Sequence, residues 1–136
     1  MARIVLIGED SSLLATRAEV LKRTGASIAC SSGSQAKAVL EEDIFDVVVL
    51  CHSLPETIST ELVGYVHRRW PEVKILMVVT ERTMYRAPGV DVTSPADPGR
   101  LIELTRQLLE SLPNHRLHLA EWQGQTDPNC KIATLQ

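Results

Sequence analysis

Three uninterrupted apolar runs, Ile4-Val5-Leu6-Ile7, Val47-Val48-Val49-Leu50 and Ile75-Leu76-Met77-Val78-Val79, constrain this chain more than any other feature. A strand with one wetted face alternates apolar and polar residues. A strand that is apolar at every position needs cover on both faces, which a parallel sheet sandwiched between helices supplies. The runs are separated by segments long enough for crossover helices, so the pattern predicts βαβ units and a doubly wound α/β fold.

The intervening residues fit that plan. Gly8-Glu9-Asp10 breaks the first run, and Ser11 or Ser12 can cap a helix with Leu14, Ala18 and Leu21 on one stripe and Arg17, Lys22 and Arg23 on the polar side. Gly25 stops that helix. Ala26 to Cys30 is a short second strand, and after Ser31-Ser32-Gly33-Ser34 a helix runs from Gln35 to Glu42. The strand Asp46–Cys51 ends in His52-Ser53-Leu54-Pro55, and a third helix spans about Ser59 to Arg69, stopped at Pro71 with Trp70 as an anchor. Lys74 to Val79 is the fourth strand and Val90 to Thr93 the fifth. The last helix follows Pro98, carries Leu101, Leu104 or Thr105, Leu108 and Leu112, and ends at Pro113. The interval Glu81 to Gly89 is shorter than the ~10–12 residues a crossover with its helix needs, so the fourth helix is expected to be shortened or missing. The expected organisation is one domain over residues 1–113 and a tail over 114–136.

Composition narrows the function. The chain has 136 residues, 44% apolar and 23% charged, and a net charge of −3 from 14 basic and 17 acidic residues. There is no basic stripe to neutralise phosphates, which argues against nucleic acid as a partner. No apolar stretch suits a signal peptide or a membrane span, and Cys30, Cys51 and Cys130 have no metal-ligand spacing, so a cytoplasmic protein without a cofactor is expected.

In a doubly wound sheet, sites form at the carboxyl ends of the strands. Those ends carry Glu9 and Asp10, Cys51, Thr80 and Ser94. An acidic cluster after the first strand, Asp46-x-x-x-Leu50-x-x-x-Leu54-Pro55 around the third, Thr80 after the fourth and Ser94-Pro95 before the last helix resemble a bacterial response-regulator receiver domain over roughly Arg3 to Leu112. The resemblance implies a flavodoxin-like five-stranded parallel sheet of order 2-1-3-4-5. It further implies a phosphorelay pocket with an aspartyl acceptor, an acidic pair holding Mg²⁺, a Thr or Ser, a Lys, and a cis bond before the proline.

The chain departs from that pattern at the positions that carry the chemistry. The acceptor position is Cys51, the lysine position is Ser94, and the acidic pair falls on Gly8-Glu9, or on Glu9-Asp10 with a one-residue slip; Thr80 is retained. Phosphoryl transfer to a carboxylate needs an oxygen nucleophile and cations against the phosphoryl charge. A thiolate is a poor Mg²⁺ ligand. The pocket Gly8, Glu9, Asp10, Cys51, Thr80, Ser94 and Pro95 is therefore expected to be vestigial, with no catalytic residues and no more than a weak divalent site on Glu9 and Asp10.

These observations imply a degenerate, phosphorylation-independent receiver module, not an enzyme, that acts on other signalling proteins or as a homodimer. Loss of the fourth helix is expected to uncover strands four and five, with Leu117, Leu119 and Trp122 as candidates for an interface or an internal cover. Three alternatives stand beside this reading. One is a redox switch at Cys51, although no basic residue adjoins it in sequence and His52 is expected on the opposite strand face. Another is phosphorylation on a substitute carboxylate. The third, a flavin or nucleotide site, is opposed by carboxylates in the loop where a phosphate cradle would lie. His67, His115 and His118 are expected to be solvent-exposed.

Overall fold

The computed structural model describes residues 2–82 and 85–112. Five strands, β1 (Arg3–Ile7), β2 (Ser27–Ser31), β3 (Val47–Leu50), β4 (Lys74–Val79) and β5 (Val92–Pro95), form one parallel sheet of order β2-β1-β3-β4-β5. Four α-helices connect or follow them: α1 (Ser11–Leu21), α2 (Ala36–Glu42), α3 (Glu56–Arg69) and α4 (Pro98–Glu110). This is the fold class and strand order expected from the sequence.

The apolar runs divide between two cores by the period of two in a strand. Val5, Ile7, Val48, Leu50, Ile75 and Met77 face α2 and α3, where Ala36, Leu40, Leu62, Val63 and Val66 meet them. Ile4, Leu6, Val47, Val49, Leu76 and Val78 face α1 and α4 through Leu21, Leu101 and Leu108. Trp70 closes α3, its N–H donating to the Val66 carbonyl at 2.7 Å and its ring edge-on to Tyr65.

Other strand and helix ends differ by a residue or so, but two elements begin two or more residues from where the sequence places them. α3 begins at Glu56, with Pro55 as its N-cap and an acidic side chain in the first turn, where a helix dipole favours it. β5 begins at Val92: Val90 is drawn into the α3-side core, and Asp91 exchanges two bonds with Ile75, its Oδ2 accepting the Ile75 N–H at 2.8 Å and its own N–H donating to the Ile75 carbonyl at 2.9 Å.

The expectation of an uncovered face is overturned for β4, whereas β5 is half-buried at Val92 and Thr93 and exposed at Pro95. No helix lies between β4 and β5 among the described residues, yet Ile75, Leu76, Met77 and Val78 are all buried. The connecting segment does the covering, with Ala87 fully buried, Val90 nearly so, and Tyr85 packed against the same core. Polar contacts pin it to α3. The Tyr85 hydroxyl lies 2.5 Å from Thr60 Oγ1, and His67 Nε2 donates to the Gly89 carbonyl at 2.7 Å. His67 is thus half-buried and bonded, contrary to expectation. Leu117, Leu119, Trp122, His115 and His118 lie outside the described residues.

Candidate functional site

The carboxyl ends of the strands form a level row. Ile7 pairs with Leu50, Leu50 with Met77, and Met77 with Thr93, so the next residues outward are Gly8, Cys51, Val78 and Ser94, the last two themselves paired. The Cys51 N–H donates to the Ile7 carbonyl at 2.8 Å, extending the ladder to this row. Thr80 lies two residues further along the chain and is half-buried.

The acidic residues at this end are committed to the backbone. Asp10 caps α1, Oδ1 accepting from the N–H groups of Ser12 and Leu13 at 3.0 and 3.2 Å. Glu9 Oε2 accepts the Gly33 N–H at 2.9 Å, and the Glu9 N–H donates to Ser53 Oγ at 2.9 Å. Position 33 has to be small for this, since a Cβ there would fall 2.6 Å from Glu9 Oε2.

Gly8 and Cys51 are buried against each other. A Cβ at position 8 would lie 2.9 Å from Cys51 Cβ and 3.1 Å from Ser53 Oγ. A carboxylate at position 8 therefore has no room while Cys51 and Ser53 occupy their present places. Ser94 is fully buried, and its hydroxyl donates to the Pro95 carbonyl at 2.8 Å. The Ser94–Pro95 bond is trans, correcting the cis expectation: β5 remains extended through Pro95, which pairs with Val79.

These residues do not fit the Mg²⁺ that a receiver pocket implies. Position 8 supplies no ligand, position 51 supplies a buried thiol, and Glu9 and Asp10 each have a carboxylate oxygen already bonded. No group of three or more His, Cys, Asp or Glu that could hold a metal occurs among the described residues.

A residue assigned to the polar side of α1 proves central. Arg17 is 6% exposed. Its Nη2 lies 3.3 Å from His52 Nδ1, and its charge and hydrogen bonding act on the Cys51 thiol. Arg17 Nη1 is buried with no hydrogen-bond partner. The spacing held the clue, because Leu14, Arg17, Ala18 and Leu21 share one helical face at offsets of three and four. His52 also departs from expectation. It leaves the strand in a turn, so strand alternation does not separate it from the guanidinium near Cys51.

The electrostatics follow from burial. Cys51 is 3% exposed; desolvation pushes its thiol pKa up, and Arg17 opposes this only in part. The His52 pKa is lowered by burial and then by the Arg17 charge, with Asp10 acting in the other direction. Since a guanidinium can only donate, His52 Nδ1 accepts and the ring proton resides on Nε2. Cys51 and His52 also line an open cleft with Leu54, Glu56, Met77 and Tyr85.

No protein-family model matches the chain, and no curated protein matches it. Solved structures share its fold. A CheY-like response regulator receiver domain protein from Methanospirillum hungatei JF-1 is 23% identical, with 81% of this chain and 95% of that one covered at a TM-score of 0.67. A receiver domain protein from Clostridium thermocellum is 14% identical, with 81% and 95% covered at 0.72. A chain from the complex of histidine kinase ThkA with response regulator protein TrrA is 22% identical, with 80% and 99% covered at 0.68. At these identities the likeness establishes the fold, which is that of response-regulator receiver domains.

Proposed function

We propose that this chain is a receiver-fold module of signal transduction that works without an aspartyl-phosphate cycle and without catalysis of its own, through contacts with other signalling proteins. The observation that carries the reading is the packing of Gly8 on Cys51. The acceptor position holds a buried sulfur, and the space for an acidic side chain at position 8 is filled by Cys51 and Ser53. The committed oxygens of Glu9 and Asp10 and the inward bond of Ser94 support it further. A solved neighbour from a kinase–regulator complex is consistent with protein partners. A homodimer remains within the proposal. The acidic net charge disfavours nucleic acid, no helix among the described residues is long and apolar enough to cross a membrane, and a cytoplasmic setting fits these features.

The alternative of a redox switch at Cys51 has a nearby cation in its favour, but burial dominates and holds the thiol protonated. A substitute carboxylate acceptor has no support in the pocket, where Glu9 and Asp10 anchor loops. Titration with beryllofluoride and Mg²⁺, followed by NMR, tests the proposal. Unchanged resonances at Glu9, Cys51 and Thr80 are expected; saturable, Mg²⁺-dependent shifts there would overturn it.

A further inference from the structure

The amino-terminal ends of the strands, opposite the pocket at Cys51, carry a shallow apolar notch. Leu40, Asp43, Ile44, Phe45, Trp70 and Val73 line it, where the ends of α2 and α3 turn into β3 and β4. Ile44 is 60% exposed, and no other large apolar side chain among the described residues is exposed. A single exposed apolar side chain is ordinary. Here, however, Ile44 stands beside half-buried Trp70 and the buried Phe45 and Leu40, so its surface runs on into the α3-side core. The rim is acidic, with Glu42 and Asp43 both exposed next to Ile44 in the chain.

The end of α4 lies at the same end of the sheet. α4 follows the carboxyl end of β5 and runs back, so that Arg106 Nη2 donates to the Arg23 carbonyl shortly before β2 at 2.9 Å, and Leu112 is buried. The sequence continues through His115-Arg116-Leu117-His118-Leu119. We propose that this segment crosses the amino-terminal edge of the sheet and seats Leu117 and Leu119 on Ile44 and Trp70, covering the notch from within the same chain. The reach suffices. At ~3.3–3.6 Å per residue, Leu117 and Leu119 extend about 17 to 25 Å from Leu112, and the layers on the two faces of a sheet lie about 20 Å apart at ~10 Å per spacing. Alternation of Leu117 and Leu119 with Arg116 and His118 puts both leucines on one side of an extended chain. Removal of apolar surface from water drives the docking, and the charge of Arg116 complements the Glu42–Asp43 rim.

The test is methyl-labelled NMR on the full chain. Nuclear Overhauser contacts are expected from the Ile44 methyl to methyls of Leu117 or Leu119, unchanged on dilution. In the double variant Leu117→Ser, Leu119→Ser these contacts should vanish and the Ile44 methyl and Trp70 indole signals should shift, while resonances of Val47 to Leu50 report that the sheet is intact. Absence of the contacts in the wild-type chain overturns the cover, and this reading does not depend on the variant. Ile44 and Trp70 signals indifferent to the double substitution also overturn it. Contacts seen between differently labelled chains in a mixed sample overturn the internal cover and assign the notch to a second copy. The notch lies at the opposite end of the sheet from Gly8 and Cys51, so none of these outcomes bears on the proposed function.

Discussion

Arg17 on α1 and His52 on the turn after β3 are joined by a 3.3 Å contact from Nη2 to Nδ1, which ties a helix on one face of the sheet to the strand-end loop. The contact exists only while Nδ1 is unprotonated.

A pH dependence follows. Burial and the Arg17 charge lower the His52 pKa from its ordinary 6.5, so the unfolded chain takes up a proton there more readily than the folded one. Stability from this group is complete above about 6.5 and is lost as pH falls through the lower folded value. Urea midpoints measured between pH 8 and 5 should therefore drop on acidification, and in His52→Gln that component of the drop should vanish. An identical pH profile in the variant would show that the contact does not contribute.

The two described cysteines should react differently. Desolvation raises the thiol pKa of both, but Cys30 is exposed on β2 whereas Cys51 is buried. At neutral pH a thiol reagent followed by peptide mass spectrometry should mark Cys30 readily and Cys51 only as the protein opens. Prompt labelling of Cys51 in the native protein would revive a redox role.

Strand runs and helix order were legible because continuous burial leaves an unbroken apolar signature, and 47–50 and 75–79 have no competing pattern. The site was half legible. Position along the strands points to Cys51 and Ser94, but the charge of Arg17 points to the polar side of α1 although its spacing from Leu14 and Leu21 puts it on the buried stripe. The cover over β4 was missed for a different reason. Tyr85, Ala87 and Val90 have no period, and only their tertiary contacts with α3 reveal them as core.

Restoring the missing acceptor should not restore a switch. In Cys51→Asp the carboxylate would be buried beside Gly8 and the Arg17 guanidinium, which would draw it toward α1, with no ligand at position 8 and no lysine at 94. Beryllofluoride with Mg²⁺ should leave the NMR spectrum of this variant unperturbed. Saturable shifts would mean that the thiol alone had disabled the pocket.

The segment that leads from Tyr85 into β5 should depend on Gly89. Its φ is 94°, a left-handed conformation costly to side-chain-bearing residues, and a Cβ there would fall 2.8 Å from His67 Nε2 and 3.0 Å from Val63 Cγ1. Gly89→Ala must shift the loop or push His67 off the Gly89 carbonyl, and backbone strain of this kind costs about 1–3 kcal/mol. Thermal unfolding should show Tm lowered by several degrees, between the scales of about 4–8 °C per kcal/mol for domains of 60–100 residues and about 2–4 °C for 150–250 residues. In His67→Ala, which removes the nearest contact, the same glycine substitution should cost less, because only the conformational part of the penalty remains. Equal losses in both backgrounds would show that the imidazole does not set the position of the loop over β4.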